Sequence, residues 1–180
     1  MTAATKPDAA ARRERLRELA SLGAQRAAKV FAEFAGASVQ AGPLRAGEAL
    51  KATPFETGVI FRVEGQLTGY LALCLDPLSR RSLVRLLLDE DEPEAPPDMV
   101  ASALCELANI VVSQAVSAIA DALGAAISLS IPELALERVA ARLWEARAGL
   151  GGAARDLAFV SELSAPGTEL RVLLVIAPDA

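Results

Sequence analysis

Between Met99 and Ala120 the chain is apolar apart from a few small polar residues, with one charged side chain, Glu106. At about 100° per residue, Ser102, Glu106, Asn109 and Ser113 fall within roughly 60° of one another on a helix. Leu104, Leu107, Ala108, Val111, Ala115 and Ala118 take the opposite face. The pattern predicts a helix over Met99 to Leu123, ended near Gly124 and started by Asp98 as a cap, with one narrow polar stripe. A solvated face would carry Lys and Arg within two turns of Glu106, and there are none. Six polar residues make the segment too polar for an isolated membrane span.

The same reading carried along the chain predicts a loose start through Ala11 and then a helix from Arg12 to Phe34, ended by Gly36. Ser38–Ala41 reads as a short strand before Pro43. Val59–Gly65 and Leu67–Asp76 are β-rich and broken at Gly65-Gln66, an antiparallel hairpin. A helix from Pro77 to about Leu88 follows, with Asp76 placed to cap it. Asp89 to Asp98, acidic and proline-rich, reads as a solvated linker. Ala125–Ile131 is expected to be a strand ending at Pro132, and Leu134–Leu143 another. A loop around Gly149–Gly152 then leads to a hairpin of Asp156–Leu163 and Glu169–Ala177.

Two halves emerge, about 12–88 and 98–178, joined by the linker 89–97, each reading helix, Gly, short strand, Pro, hairpin. The expected fold is a single α+β domain built from a duplicated, pseudo-twofold helix-plus-antiparallel-strands unit. Sliding the first helix by 88 positions lays Glu14 on Ser102, Glu18 on Glu106, Ser21 on Asn109 and Gln25 on Ser113. The polar stripe therefore recurs on the same helical face.

Composition narrows the chemistry. With 53% hydrophobic residues in 180, a sizeable core is assured. A formal charge of −5 without a basic block argues against nucleic acid. The opening residues lack the apolar core of a signal peptide, so a cytoplasmic address is expected. There is no histidine, which removes the commonest general base and metal ligand. Cys74 and Cys105 lie in apolar runs and read as small buried hydrophobes. Cys74 to Arg80 has the Cys-x5-Arg spacing of thiol phosphatases, but its proline and lack of glycine do not suit a phosphate cradle. Asp89 to Glu92 reads as a solvated tether rather than a metal site.

The spacing Ser102-x3-Glu106-x2-Asn109-x22-Pro132 resembles the signature of the CheC, CheX and FliY family of chemotaxis phosphatases, and the whole chain is most like CheC. The resemblance implies two long helices lying together on one face of an antiparallel sheet, docking on a CheY-type response regulator and faster hydrolysis of its aspartyl phosphate, in chemotaxis or a related two-component pathway. It implies that Glu106 pairs with the receiver's active-site lysine. Asn109 would place the attacking water, which an amide can do by accepting from and donating to it. Ser102 and Pro132 are supporting motif residues. Mg2+ would be held by the receiver, leaving this chain no cofactor or metal of its own. The first copy, Glu14, Glu18 and Ser21, lacks the amide and has Pro43 one residue closer, so it is expected to be weak or dead. The rival reading is a non-catalytic adaptor that holds a receiver or a CheD-type receptor deamidase. A motor component related to FliY would bring a further C-terminal domain.

Overall fold

The computed structural model describes residues 9–52, 54–89, 91–148 and 157–179. Two 27-residue helices dominate, α1 (Ala9–Ala35) and α3 (Pro97–Leu123). Small residues along α1, Ala20, Gly23, Ala24 and Ala27, allow the helices to approach closely. A Cβ on Gly23 would meet the Ile119 side chain at 3.0 Å. Contacts run from Arg15 against Ala122 to Arg26 against Gln114, so the helices are antiparallel.

Behind them lies one antiparallel sheet. Its strands are β1 (Gln40–Ala41), β2 (Arg45–Ala46), β3 (Thr57–Gly65), β4 (Gly69–Leu75), β5 (Ile127–Leu129), β6 (Glu133–Ala135), β7 (Phe159–Ser164) and β8 (Arg171–Pro178). The order β1-β7-β8-β4-β3-β5, with β2 also on β7 and β6 also on β3, is symmetric about the central β4–β8 pair. Each half's hairpin receives the short strands of the other half.

The strands alternate sides, as a period of two requires. Val59, Phe61, Leu71, Leu73, Val172 and Leu174 join the core beneath α1 and α3. Ile60, Ala72, Cys74, Leu173 and Val175 face a second, smaller core. That second face is closed by a 3-10 turn (Gly47–Ala52) and by α4 (Val139–Ala148). Contrary to the expectation from its six polar residues, α3 is by length and average composition apolar enough to cross a membrane. Here Leu104, Leu107, Val111, Ala115 and Ile119 on its apolar face are buried in the main core.

Helix ends follow local chemistry. The Asp76 carboxylate accepts the Ser79 N–H at 2.7 Å and starts α2 (Pro77–Leu88) with Pro77 in its first turn. Gly124, at φ 63°, ends α3 and donates to Ala120 and Asp121 carbonyls.

Four expectations need correction. The strand expected over Leu134–Leu143 is only β6, after which the chain turns at Arg138 (φ 55°) into α4. The buried positions of α4 are Val139, Leu143 and Arg147, a helical spacing whose last member is charged. Asp98 does not cap α3; the helix starts at Pro97, and Asp98 lies in its first turn, where a carboxylate meets the positive helix end. The acidic segment is no free tether, because Glu92 pairs with Arg80, Asp91 with Arg85 at 3.1 Å, and Ala95 is buried. Finally, helix already begins at Ala9 rather than Arg12. The loop around Gly149–Gly152 lies outside the described residues.

Candidate functional site

The polar stripe of α3 faces outward. Ser102, Glu106 and Asn109 are exposed and Ser113 is half-buried, while Leu104, Leu107, Ala108, Val111 and Ala115 are buried on the opposite side and Ala118 half-buried. A carboxylate and an amide three residues apart thus project from a helix whose other face is locked in the core. Among the described residues, the side chains of Ser102, Glu106 and Asn109 have no hydrogen-bond or ion-pair partner. Both hydrogen-bonding groups are available to an incoming molecule.

Glu14, Glu18 and Ser21 occupy the matching stripe of α1, and there the Glu18 and Ser21 groups are engaged. Arg15 donates to the Glu18 carboxylate at 3.0 Å and to the Ala122 carbonyl at 3.2 Å. Gln25 donates to the Ser21 hydroxyl at 3.4 Å. Glu14, Glu18, Ser21 and Gln25 line an open groove of about 710 Å3 together with Gly42, Pro43 and Leu44. Pro43, expected from its spacing, lies in this groove, whereas the hold of Arg15 on Glu18 was not legible from the spacing of the acids.

The two stripes are related by the pseudo-twofold. Arg26 and Gln114, 88 residues apart, hydrogen-bond to each other at 3.2 Å where α1 crosses α3. From that crossing the Glu18 and Glu106 stripes run to opposite ends of the helix pair.

Beside α3, Pro132 lies in the link between β5 and β6. Leu129 pairs with Val63 and Glu133 with Ile60, so three residues, 130–132, face only two on β3. This is a bulge, and Pro132, which has no N–H to give a ladder, is suited to it. The Ser130 N–H donates to Arg62 at 2.9 Å, and the Arg62 N–H returns to the Ser130 hydroxyl at 3.0 Å. The first half repeats the device, with 42–44 facing two residues between the Ala41–Leu163 and Arg45–Val160 pairs. In this register Pro43 matches Ile131 and Leu44 matches Pro132.

The thiol-phosphatase spacing has a different use. Cys74 is fully buried, and burial pushes its thiol up to about 12, far from a thiolate. Arg80 goes to Glu92 and to the Thr57 hydroxyl at 3.3 Å. Asp76 between them is the α2 cap; burial would raise its carboxyl, but the Ser79 N–H and Arg171 guanidinium outweigh this and hold it below the ordinary range. Arg171 Nε lies 2.7 Å from that carboxylate. No group of three or more His, Cys, Asp or Glu side chains gathers for a metal among the described residues.

Residues 57–141 match the family described as chemotaxis phosphatase CheX. That span takes in α3 with Ser102, Glu106 and Asn109, and Pro132, but not α1. No curated protein matches. Among solved structures, a CheC-like superfamily protein from Shewanella sp. PV-4 is similar at a TM-score of 0.65 and 12% identity, covering 91% of this chain and 98% of that one. FliY of Thermotoga maritima is similar at 0.61 and 17%, covering 97% and 92%. The complex of CheX with CheY, BeF3 and magnesium from Borrelia burgdorferi gives 0.59 and 14%, covering 93% and 97%. At such identities the structures share a fold.

Proposed function

We infer from the match of residues 57–141 to the CheX family model, together with the Ser102, Glu106, Asn109 and Pro132 spacing, that the chain is a phosphatase acting on the aspartyl phosphate of a CheY-type receiver domain. The observation that carries this reading is the free carboxylate and amide of Glu106 and Asn109, held outward on α3 with Pro132 in the adjacent strand link. The Borrelia CheX structure, which contains CheY, supports a receiver as the partner.

In the proposed reaction, Glu106 pairs with the receiver's active-site lysine and fixes the two proteins in register. Asn109 accepts a hydrogen bond from a water and holds it in line with the phosphorus. The water oxygen forms a new bond to phosphorus as the bond to the aspartyl oxygen breaks, and the aspartate leaves as carboxylate. The proton of the water passes to the phosphate product or to solvent. An acyl phosphate is already activated, so positioning is the main contribution required. Magnesium is assigned to the receiver, where it neutralises charge on the phosphoryl oxygens. Ser102 and Pro132 support the site without touching the reacting atoms.

The first copy is assigned no activity. Its acid is held by Arg15 and its serine lacks the separate donor and acceptor of an amide. The competing reading is an adaptor that grips a receiver or a CheD-type deamidase without hydrolysis, and Asn109 is the residue such an adaptor would not need.

The test is phosphoryl decay on CheY-type receivers from the same organism, with Mg2+, in the presence of this protein or its Asn109→Ala variant. Faster decay with wild type that is lost in the variant supports the phosphatase. Binding without any change in decay supports the adaptor.

A further inference from the structure

Ile131 is 89% exposed, while the other large exposed apolar side chains among the described residues are between 43% and 51%. Nothing in the packing of the chain accounts for it. Its place in the β5–β6 bulge does, since an extra residue on an edge strand re-aims a side chain out of the sheet. We propose that Ile131 is an apolar contact for the receiver domain, a positioning residue that seats the partner across from Glu106 and Asn109. The proposal rests on the reading above, in that a receiver docks on α3.

Three observations support it. The first is position: Pro43, which matches Ile131 in the register of the two halves, lines the first-copy groove together with Glu18 and Ser21. The pseudo-twofold carries that relation to the second half and puts Ile131 across from the α3 stripe. The second is rigidity. The Ser130 hydroxyl donates to the Ile131 carbonyl at 2.9 Å, and the Ser130 amide is tied to β3. Pro132 restricts the residue before it to extended backbone, and a β-branched side chain has few rotamers. Ile131 therefore loses little conformational freedom when a partner covers it. The third is chemistry. Glu106 and Asn109 supply charge and hydrogen bonding but almost no apolar area, and an exposed pair of charges alone binds weakly. An apolar anchor beside them supplies the missing burial.

The experiment measures binding of CheY-type receivers of the same organism, loaded with beryllofluoride and Mg2+, to wild type and to Ile131→Ser, Ile131→Val and Leu136→Ser. Where decay is accelerated, kcat and KM are measured on the phosphorylated receiver. Ile131→Ser is expected to weaken binding roughly tenfold and raise KM correspondingly with kcat unchanged, since full burial of such a side chain is lost. Ile131→Val should restore most of the affinity. Leu136→Ser, an exposed apolar position on the same edge, should bind as wild type does, and melting temperatures should be unaltered throughout. Wild-type affinity in Ile131→Ser overturns the inference. Wild-type binding without hydrolysis, weakened by Ile131→Ser, upholds it while overturning the phosphatase reading. If wild type binds no receiver, both fall.

Discussion

Arg15 holds the Glu18 carboxylate at 3.0 Å and is itself anchored to the carbonyl of Ala122 on the partner helix. The residue 88 positions on from Arg15 is Ala103, so Glu106 has no such neighbour. Both acids of the duplicated pair are exposed, but one is paired within its own chain and, among the described residues, the other is not.

That asymmetry predicts which acid a receiver meets. Glu106→Lys should weaken binding of a beryllofluoride-loaded receiver by roughly tenfold or more, because it replaces attraction to the receiver's lysine by repulsion. Glu18→Lys should change it by less than about twofold, as a surface substitution away from the interface does. Titration calorimetry of both variants checks this, and the reverse order would exchange the assignment of the two copies.

For the reaction itself, Asn109→Ala should lower kcat for phosphoryl decay by roughly 100-fold, the scale of losing one group that orients a reactant. KM should move little, because Glu106 still docks the partner. Ser21→Ala should leave both constants unchanged. Decay kinetics under saturating receiver separate the two effects.

Asp76 predicts an acid limb to stability. Its carboxyl is held below the ordinary value in the fold, so its contribution is present above the unfolded value of about 4 and is lost as pH falls through the folded value. Asp76→Asn should cost about 1 kcal/mol at pH 7 through the weakened cap and the lost charge opposite Arg171. The gap to wild type should close towards pH 3. Urea unfolding at both pH values measures it.

Cys74 makes a prediction at the other end of the scale. Its thiol is pushed up to about 12 by burial, so the neutral form favours folding fully below the unfolded value of about 8.5, and this support is lost as pH rises from there through the folded value. In native protein at pH 8, iodoacetamide should modify half-buried Cys105 first, with Cys74 reacting only as the chain unfolds. Mass spectrometry of peptides over time distinguishes the two thiols.

Gly58 tests the second core. A Cβ there would lie 2.7 Å from Val139 Cγ2 and 2.8 Å from the Leu73 carbonyl oxygen. Gly58→Ala should destabilise the fold by about 1–3 kcal/mol, because the second of these contacts is backbone that cannot step aside. The loss should appear as a lower urea midpoint with an unchanged slope.

The long helices, the two hairpins, α2 with its Asp76 cap and the α3 stripe were legible because each depends on neighbours close in sequence. A lone acid in an apolar helix announces itself by period alone. α4 was missed because its buried face ends in Arg147, whose charge hides the i, i+4 pattern. The tie of Glu92 to Arg80 was invisible for a similar reason, since it depends on how the segment folds back on α2. At the site, the 88-residue slide already laid Pro43 on Ile131 rather than on Pro132; what needed strand register was that both fall in matching bulges, which no spacing along one helix can supply.

The reciprocal strand pairing has a consequence for the halves as separate objects. Among the described residues, β1 and β2 find their ladder only on β7, and β5 and β6 only on β3. A half cut free at the acidic segment keeps a hairpin with a bare flank and two short strands with no place to go. Two such fragments mixed together can satisfy each other, and two copies of one fragment can do so by symmetry. The fused chain is in this sense a dimer written on one polypeptide. Its two halves are chemically free to diverge, so one docking face can change while the other is kept.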